Sequence, residues 1–198
     1  MILYKNKQKK GIKMKKIFYG LLVFLTFITN ANASKYEIFI GAEAALSWVD
    51  LKGSNGNYEN EEISTYGIKV GVIDENSRVY LSYNYLDAFE DSSNREGGFQ
   101  TLTINTEAYT QMFNITENYP VSFFFGAHIG GVNLNVDSTF GTSHKSALLY
   151  GLQAGVMTTS KSPINLEFGY RYSSSRFIDK NNDLEQLTVA YVGINYKF

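Results

Sequence analysis

Residues 164–173 read INLEFGYRYS, and the two interleaved halves of that stretch have opposite characters. Ile164, Leu166, Phe168, Tyr170 and Tyr172 form one half; Asn165, Glu167, Gly169, Arg171 and Ser173 form the other. Successive side chains of a strand point to opposite faces, so this is a strand with one apolar and one polar face. The alternation recurs at the end of the chain. There Leu184, Gln186, Thr188, Ala190, Val192, Ile194, Tyr196 and Phe198 interleave with Glu185, Leu187, Val189, Tyr191, Gly193, Asn195 and Lys197. Six earlier segments phase in the same way, at 36–48, 64–72, 78–85, 100–112, 121–131 and 148–158. Eight strands result. Fifteen tyrosines, 14 phenylalanines and 17 glycines against two prolines fit strands better than helices.

Residues 14–33, MKKIFYGLLVFLTFITNANA, have a different character. Two lysines precede an apolar run from Ile17 to Ile28, and Ala31-Asn32-Ala33 supplies a small-x-small cleavage pattern. This is the layout of a secretory signal. The 12 apolar residues would rise only about 18 Å as a helix, short of a hydrocarbon core of about 30 Å. The division expected is a signal peptide at 1–33, with Met14 as an alternative start, and one barrel domain at 34–198. Seven of the 18 basic residues lie in that leader, leaving 11 against 19 acidic ones, a net charge of −8. A domain so acidic lacks the basic footprint that nucleic acid requires. With no cysteine, disulfides, thiolate metal sites and cysteine nucleophiles are excluded.

The connections sort by length. DENS (74–77), ENYP (117–120) and TSKSP (159–163) are short; 49–63, 86–99, 132–147 and 174–183 are longer and polar. Antiparallel neighbours alternate direction, so all the short connections fall at one end of the sheet. That arrangement marks an up-and-down barrel, and outer-membrane barrels show it systematically. A soluble barrel would turn its apolar face inward around a ligand; a membrane barrel turns it outward to lipid. The apolar faces carry no Asp, Glu, Lys or Arg. Nine glycines, at 41, 67, 71, 126, 130, 151, 155, 169 and 193, fall on the other face, where a narrow interior would be crowded. Aromatics gather towards the strand ends, where a girdle would meet the membrane surface. These features favour the inverted, membrane-spanning form.

The inward face nearly balances its charges. Lys69, Arg78, Arg171 and Lys197 accompany Glu37, Glu43, Glu107, Glu167 and Glu185, with His128 among them. Unpaired charges in a narrow barrel are very costly, so these residues are expected to form one salt-bridge and hydrogen-bond network. Eight strands leave an interior that side chains can fill.

This pattern of signal peptide, eight alternating strands, polar loops and a terminal INYKF resembles the small outer-membrane β-barrels of Gram-negative bacteria. The groups it is most similar to are the OmpA transmembrane domain, OmpX and Ail, and the opacity proteins. The resemblance covers residues 34–198 and rests on architecture rather than on a signature motif. It implies insertion among outer-membrane lipid and lipopolysaccharide as a monomer. It also implies that the barrel-assembly machinery reads the terminal strand, with Phe198, Tyr196, Ile194 and Val192 as the assembly signal.

No catalytic set, cofactor site or metal site is expected. His128 falls on the interior face and reads as structural. His144, in TFGTSHKS, has serines beside it but no third partner. The acidic groups Asp50, Glu59, Glu61 and Glu62, and Asp87, Glu90, Asp91 and Glu96, match no calcium-loop spacing. The functional expectation is therefore an outer-membrane anchor or adhesin whose acidic external loops would meet any extracellular ligand. The competing expectations are a pore for small solutes and a soluble periplasmic barrel holding an apolar ligand.

Overall fold

The computed structural model describes residues 36–52, 58–90, 96–110, 113–116, 119–138, 141–158, 162–177 and 183–198. Nine strands are present among them: β1 (Glu37–Lys52), β2 (Tyr58–Ile73), β3 (Ser77–Glu90), β4 (Glu96–Tyr109), β5 (Phe113–Thr116), β6 (Tyr119–Ser138), β7 (Gly141–Thr158), β8 (Ile164–Phe177) and β9 (Asp183–Lys197). Every pairing is antiparallel between chain neighbours, except that β9 returns to β1 and β4 pairs with β6 across the short β5. The long strands thus close into an eight-stranded up-and-down barrel. β5 is a small addition in the turn from β4 to β6, pairing Phe113 with Val121 and Thr116 with Tyr119.

Two boundaries differ from the sequence expectation. The long polar connections are mostly strand. β1 and β2 stay paired up to Lys52 and Tyr58, and β6 and β7 up to Ser138 and Gly141. There the apolar residues leave the outward phase, as at Val132, Leu134 and Val136, and the backbone pairing continues without it. The second difference is at 100–120, where β4 ends at Tyr109 and β6 begins at Tyr119.

The outward face carries the apolar set. Ile68, Leu152, Phe125 and Phe168 are 64%, 67%, 63% and 58% exposed, and Val192, Ile194, Tyr196 and Phe198 lie outward in line along β9. From Ile38 to Trp48 is ten residues along β1. That is about 34 Å of strand, or about 26 Å along the membrane normal at a tilt of about 40°, close to the roughly 25 Å apolar band of an outer-membrane barrel. Strands of 14 to 20 residues therefore extend beyond the bilayer at the end where β1 meets β2. Near that end Trp48 and Tyr172 flank Thr188 on its two neighbouring strands. Tyr172 also donates to Gln186, which donates to Thr188, so the outward polar groups there are paired among themselves.

Inside, glycine sets how closely the walls approach. A Cβ on Gly169 would lie 2.4 Å from the Tyr191 ring, and one on Gly193 would lie 2.8 Å from the Glu167 carboxylate. The interior is also less polar than the sequence suggested. Phe39, Tyr80, Phe124, Met157 and Tyr191 are buried there near one end, and Val49, Leu86, Phe99, Leu149 and Leu187 near the other.

Two measurements test this arrangement. Leu152→Arg should lower folding stability in lipid by about 2–4 kcal/mol, because it sets a cation against hydrocarbon; on a soluble barrel the same change would be neutral. Gly169→Val should sharply reduce the heat-modifiable folded band, whereas Gly131→Ala should not. The nearest atom to an added Cβ at Gly131 is Ala147 O, at 3.8 Å.

Candidate functional site

The interior charges are organised by the strand register. Arg78 on β3 lies directly across from Glu107 on β4, and Gly193 on β9 lies between Glu43 on β1 and Glu167 on β8. Because Gly193 has no side chain, the two carboxylates can share the cation between them. The Lys69 ammonium pairs with Glu43 at 2.8 Å and with Glu167. Arg78 donates to Glu167 at 2.5 Å and to Glu107 at 2.6 Å. Gln153 on β7 donates to Glu107 at 2.7 Å and accepts from Arg171 at 3.0 Å, and Arg171 returns to Glu43 at 3.2 Å. The chain of contacts is closed: Glu43, Lys69, Glu167, Arg78, Glu107, Gln153, Arg171 and back to Glu43.

Three cations meet three carboxylates in this ring, so it is neutral. Each member is nearly inaccessible. Tyr80 donates to Glu107 and Asn195 donates to Glu167, which occupies further carboxylate lone pairs. Aromatic faces cover the cations. Arg78 lies 4.9 Å from the Tyr80 ring centre and 5.2 Å from that of Phe124; Arg171 and Lys69 lie 4.8 and 5.0 Å from that of Tyr191. Beside the ring is a layer of uncharged polar groups. Ser47 bonds Thr65 at 2.6 Å, Ser82 bonds Thr103 at 2.8 Å, and Asn105 donates to both Ser82 and Thr103. His128 bonds Ser173 through Nε2 at 2.8 Å, with Gly151 opposite making room for its ring.

Of the ten residues expected in the interior network, Glu43, Lys69, Arg78, Glu107, Glu167 and Arg171 lie in the ring, and His128 lies buried beside it. Glu37 and Lys197 do not belong to it. They form their own pair, 3.1 Å apart, with the Glu37 side chain 56% exposed. Glu37 is the first residue of β1, where the barrel wall ends and water enters, which is why this pair stands apart. Glu185 lies at a register shift between β9 and β1, and its side chain lies outside those described, as do those of His144, Glu59, Glu61, Asp87, Glu90, Asp91 and Glu96. Sequence reasoning missed Gln153, Tyr80, Tyr191 and Asn195. All four fall on the inward phase, so the signal was present, but attention to charge passed over uncharged hydrogen-bonding groups. Among the described residues no cluster of His, Asp and Glu is placed to hold a metal ion.

The terminal strand is held on both sides. Phe198 N–H donates to Ile38 O at 2.9 Å, and Lys197 N–H donates to Pro163 O at 2.8 Å. The Phe198 ring packs edge-on against Tyr196, with centroids 5.0 Å apart.

The closed barrel, apolar outside and charged within, defines a class: the small transmembrane β-barrel of outer-membrane type. Comparison with solved structures gives the same fold. Neisserial surface protein A is 19% identical, with a TM-score of 0.64 over 81% of this chain and 97% of that one. Outer membrane protein H (OprH) from P. aeruginosa is 23% identical, with a TM-score of 0.53 over 82% of this chain and 99% of that one. No protein-family model and no curated protein sequence matches the chain.

The ring makes unequal predictions for its members and for the rim. Glu167→Ala leaves Lys69 and Arg78 without a shared buried carboxylate and should cost about 3–5 kcal/mol in urea unfolding from lipid vesicles. Glu37→Gln removes a water-exposed pair and should cost at most about 1 kcal/mol.

Proposed function

We propose that this protein resides in the Gram-negative outer membrane as a monomeric, non-conducting anchor that carries β-hairpins beyond the membrane surface for contact with extracellular partners. The observation that carries this reading is the closed ring of seven side chains across the lumen. It draws on β1, β2, β3, β4, β7 and β8, and it leaves no charge unpaired that could attract a permeating ion. The solute-pore alternative needs a continuous aqueous path through that ring, so the filled lumen weighs against it. The soluble-barrel alternative needs the apolar face inward, whereas Ile68, Phe125 and Leu152 face outward.

The anchor role draws support from the β1–β2 and β6–β7 hairpins, which continue in regular pairing past the apolar band. The first hairpin is acidic in sequence beside its tip, at Glu59, Glu61 and Glu62, and suits basic ligands or lipopolysaccharide bridged by divalent cations. Export would follow from cleavage after Ala33. Assembly would follow from recognition of Phe198, Tyr196, Ile194 and Val192, an outward-facing stripe on the last strand.

Cell fractionation with heat-modifiable gel mobility should recover the chain in the outer membrane as a fast-migrating folded band. Trypsin on intact cells should cut near Lys52, and protection there would sink the external assignment of the hairpins. Phe198→Ser should lower the outer-membrane level several-fold while leaving signal cleavage intact; an unchanged level would remove the terminal stripe from the assembly signal.

A further inference from the structure

We infer that the lumen is closed twice, by the ion-pair ring and by a separate apolar cap at the opposite end of the barrel. This rests on the non-conducting reading and adds a second, chemically different barrier to it. Along β3 the inward positions run Arg78, Tyr80, Ser82, Asn84, Leu86, passing from charge through hydroxyl and amide to hydrocarbon. β4 repeats the order as Glu107, Asn105, Thr103, Thr101 and Phe99, and β2 as Lys69, Gly67, Thr65 and Ile63. Val49, Ile63, Phe99, Leu149 and Leu187 join Leu86 on the inward face at the hairpin end, each no more than 5% exposed. Leu86 lies across from Phe99, and Val49 across from Leu187, so the cap is tied wall to wall by the barrel's own register.

Between cap and ring lies a cavity of about 10 Å³, lined above by Leu86, Leu149 and Leu187 and below by Arg171, Thr103 and Ser173. That is room for about one water molecule. A stretch of lumen lined by hydrocarbon excludes water and ions by dewetting and has no dependence on charge. The ring works the other way, since it obstructs by bonded polar side chains and depends on charge pairing. A change that opens one barrier leaves the other intact.

The sequence has no native cysteine, which allows a direct test. Ser82→Cys places a single thiol in the layer between the two barriers. In lipid vesicles holding folded protein of known orientation, it should resist a charged, membrane-impermeant thiol reagent added from either side. Adding Leu149→Ser and Leu187→Ser should make it reactive from the hairpin side only. Adding Arg78→Ala and Glu167→Ala instead should make it reactive from the opposite side only. Ion conductance in planar bilayers should appear only when both pairs are combined. Heat-modifiable mobility establishes folding for each variant. If the ring variant does not fold, the cap variant still decides, because reactivity from both sides, or none, overturns the inference. Conductance by the unaltered barrel would overturn both the anchor reading and the double closure. A silent unaltered barrel whose Ser82→Cys thiol reacts without any cap or ring change would overturn the double closure alone.

Discussion

Burying three cations and three carboxylates in a barrel of eight strands is the constraint on which the rest of this structure depends. Desolvating six charges would be prohibitive singly, so each must meet a partner of opposite sign and have its remaining hydrogen-bonding capacity occupied. The ring from Glu43 through Lys69, Glu167, Arg78, Glu107, Gln153 and Arg171 meets the first condition. Tyr80 and Asn195, together with aromatic faces from Tyr191 and Phe124, contribute to the second. Charge number, barrel size and register are therefore not independent. A slip of one residue between β3 and β4 would turn Glu107 to the lipid and take from Arg78 one of its two carboxylates.

Glycine makes this crowding feasible. The ring needs bulky side chains from six strands to meet inside one narrow tube, and that requires neighbouring strands to offer bare backbone at the same level. Gly193 beside Glu167 and Gly169 under Tyr191 show the exchange most directly. In an isolated strand such glycines would weaken pairing. Here each one places a partner side chain where a Cβ would otherwise be, so the loss in strand propensity is offset by a contact that only a closed barrel provides.

Much of the fold was legible because a lipid-facing strand must alternate strictly. In INLEFGYRYS the phase alone sends Phe168 outward and Glu167 inward, and both lie there. The extent of the strands was less legible. Residues 132–138 and 141–147 look like loop because Val132, Leu134 and Val136 invert the apolar phase of Phe123, Phe125 and Ile129 and 141–146 are polar, yet β6 and β7 pair through them. Hydrogen bonding between backbones does not depend on which face is apolar. The candidate site was legible in its charged members and obscure elsewhere. Period two assigns Gln153 and Tyr80 to the interior, but it does not say that one amide would close the circuit between Glu107 and Arg171.

By itself the sequence determined that the protein has two-faced strands, a lipid-compatible exterior, a charge-balanced interior and room made by glycine, since each of these is written in local alternation. Tertiary structure alone decided which charges meet. Arg78 reaches Glu167 across 89 residues of chain, and Arg171 reaches Glu43 across 128. It also separated Glu37 and Lys197 from the ring and gathered Leu86, Leu149 and Leu187 into a cap. Alternation specifies the face on which a side chain lies, whereas its neighbours across the lumen depend on closure and register, which no single strand contains.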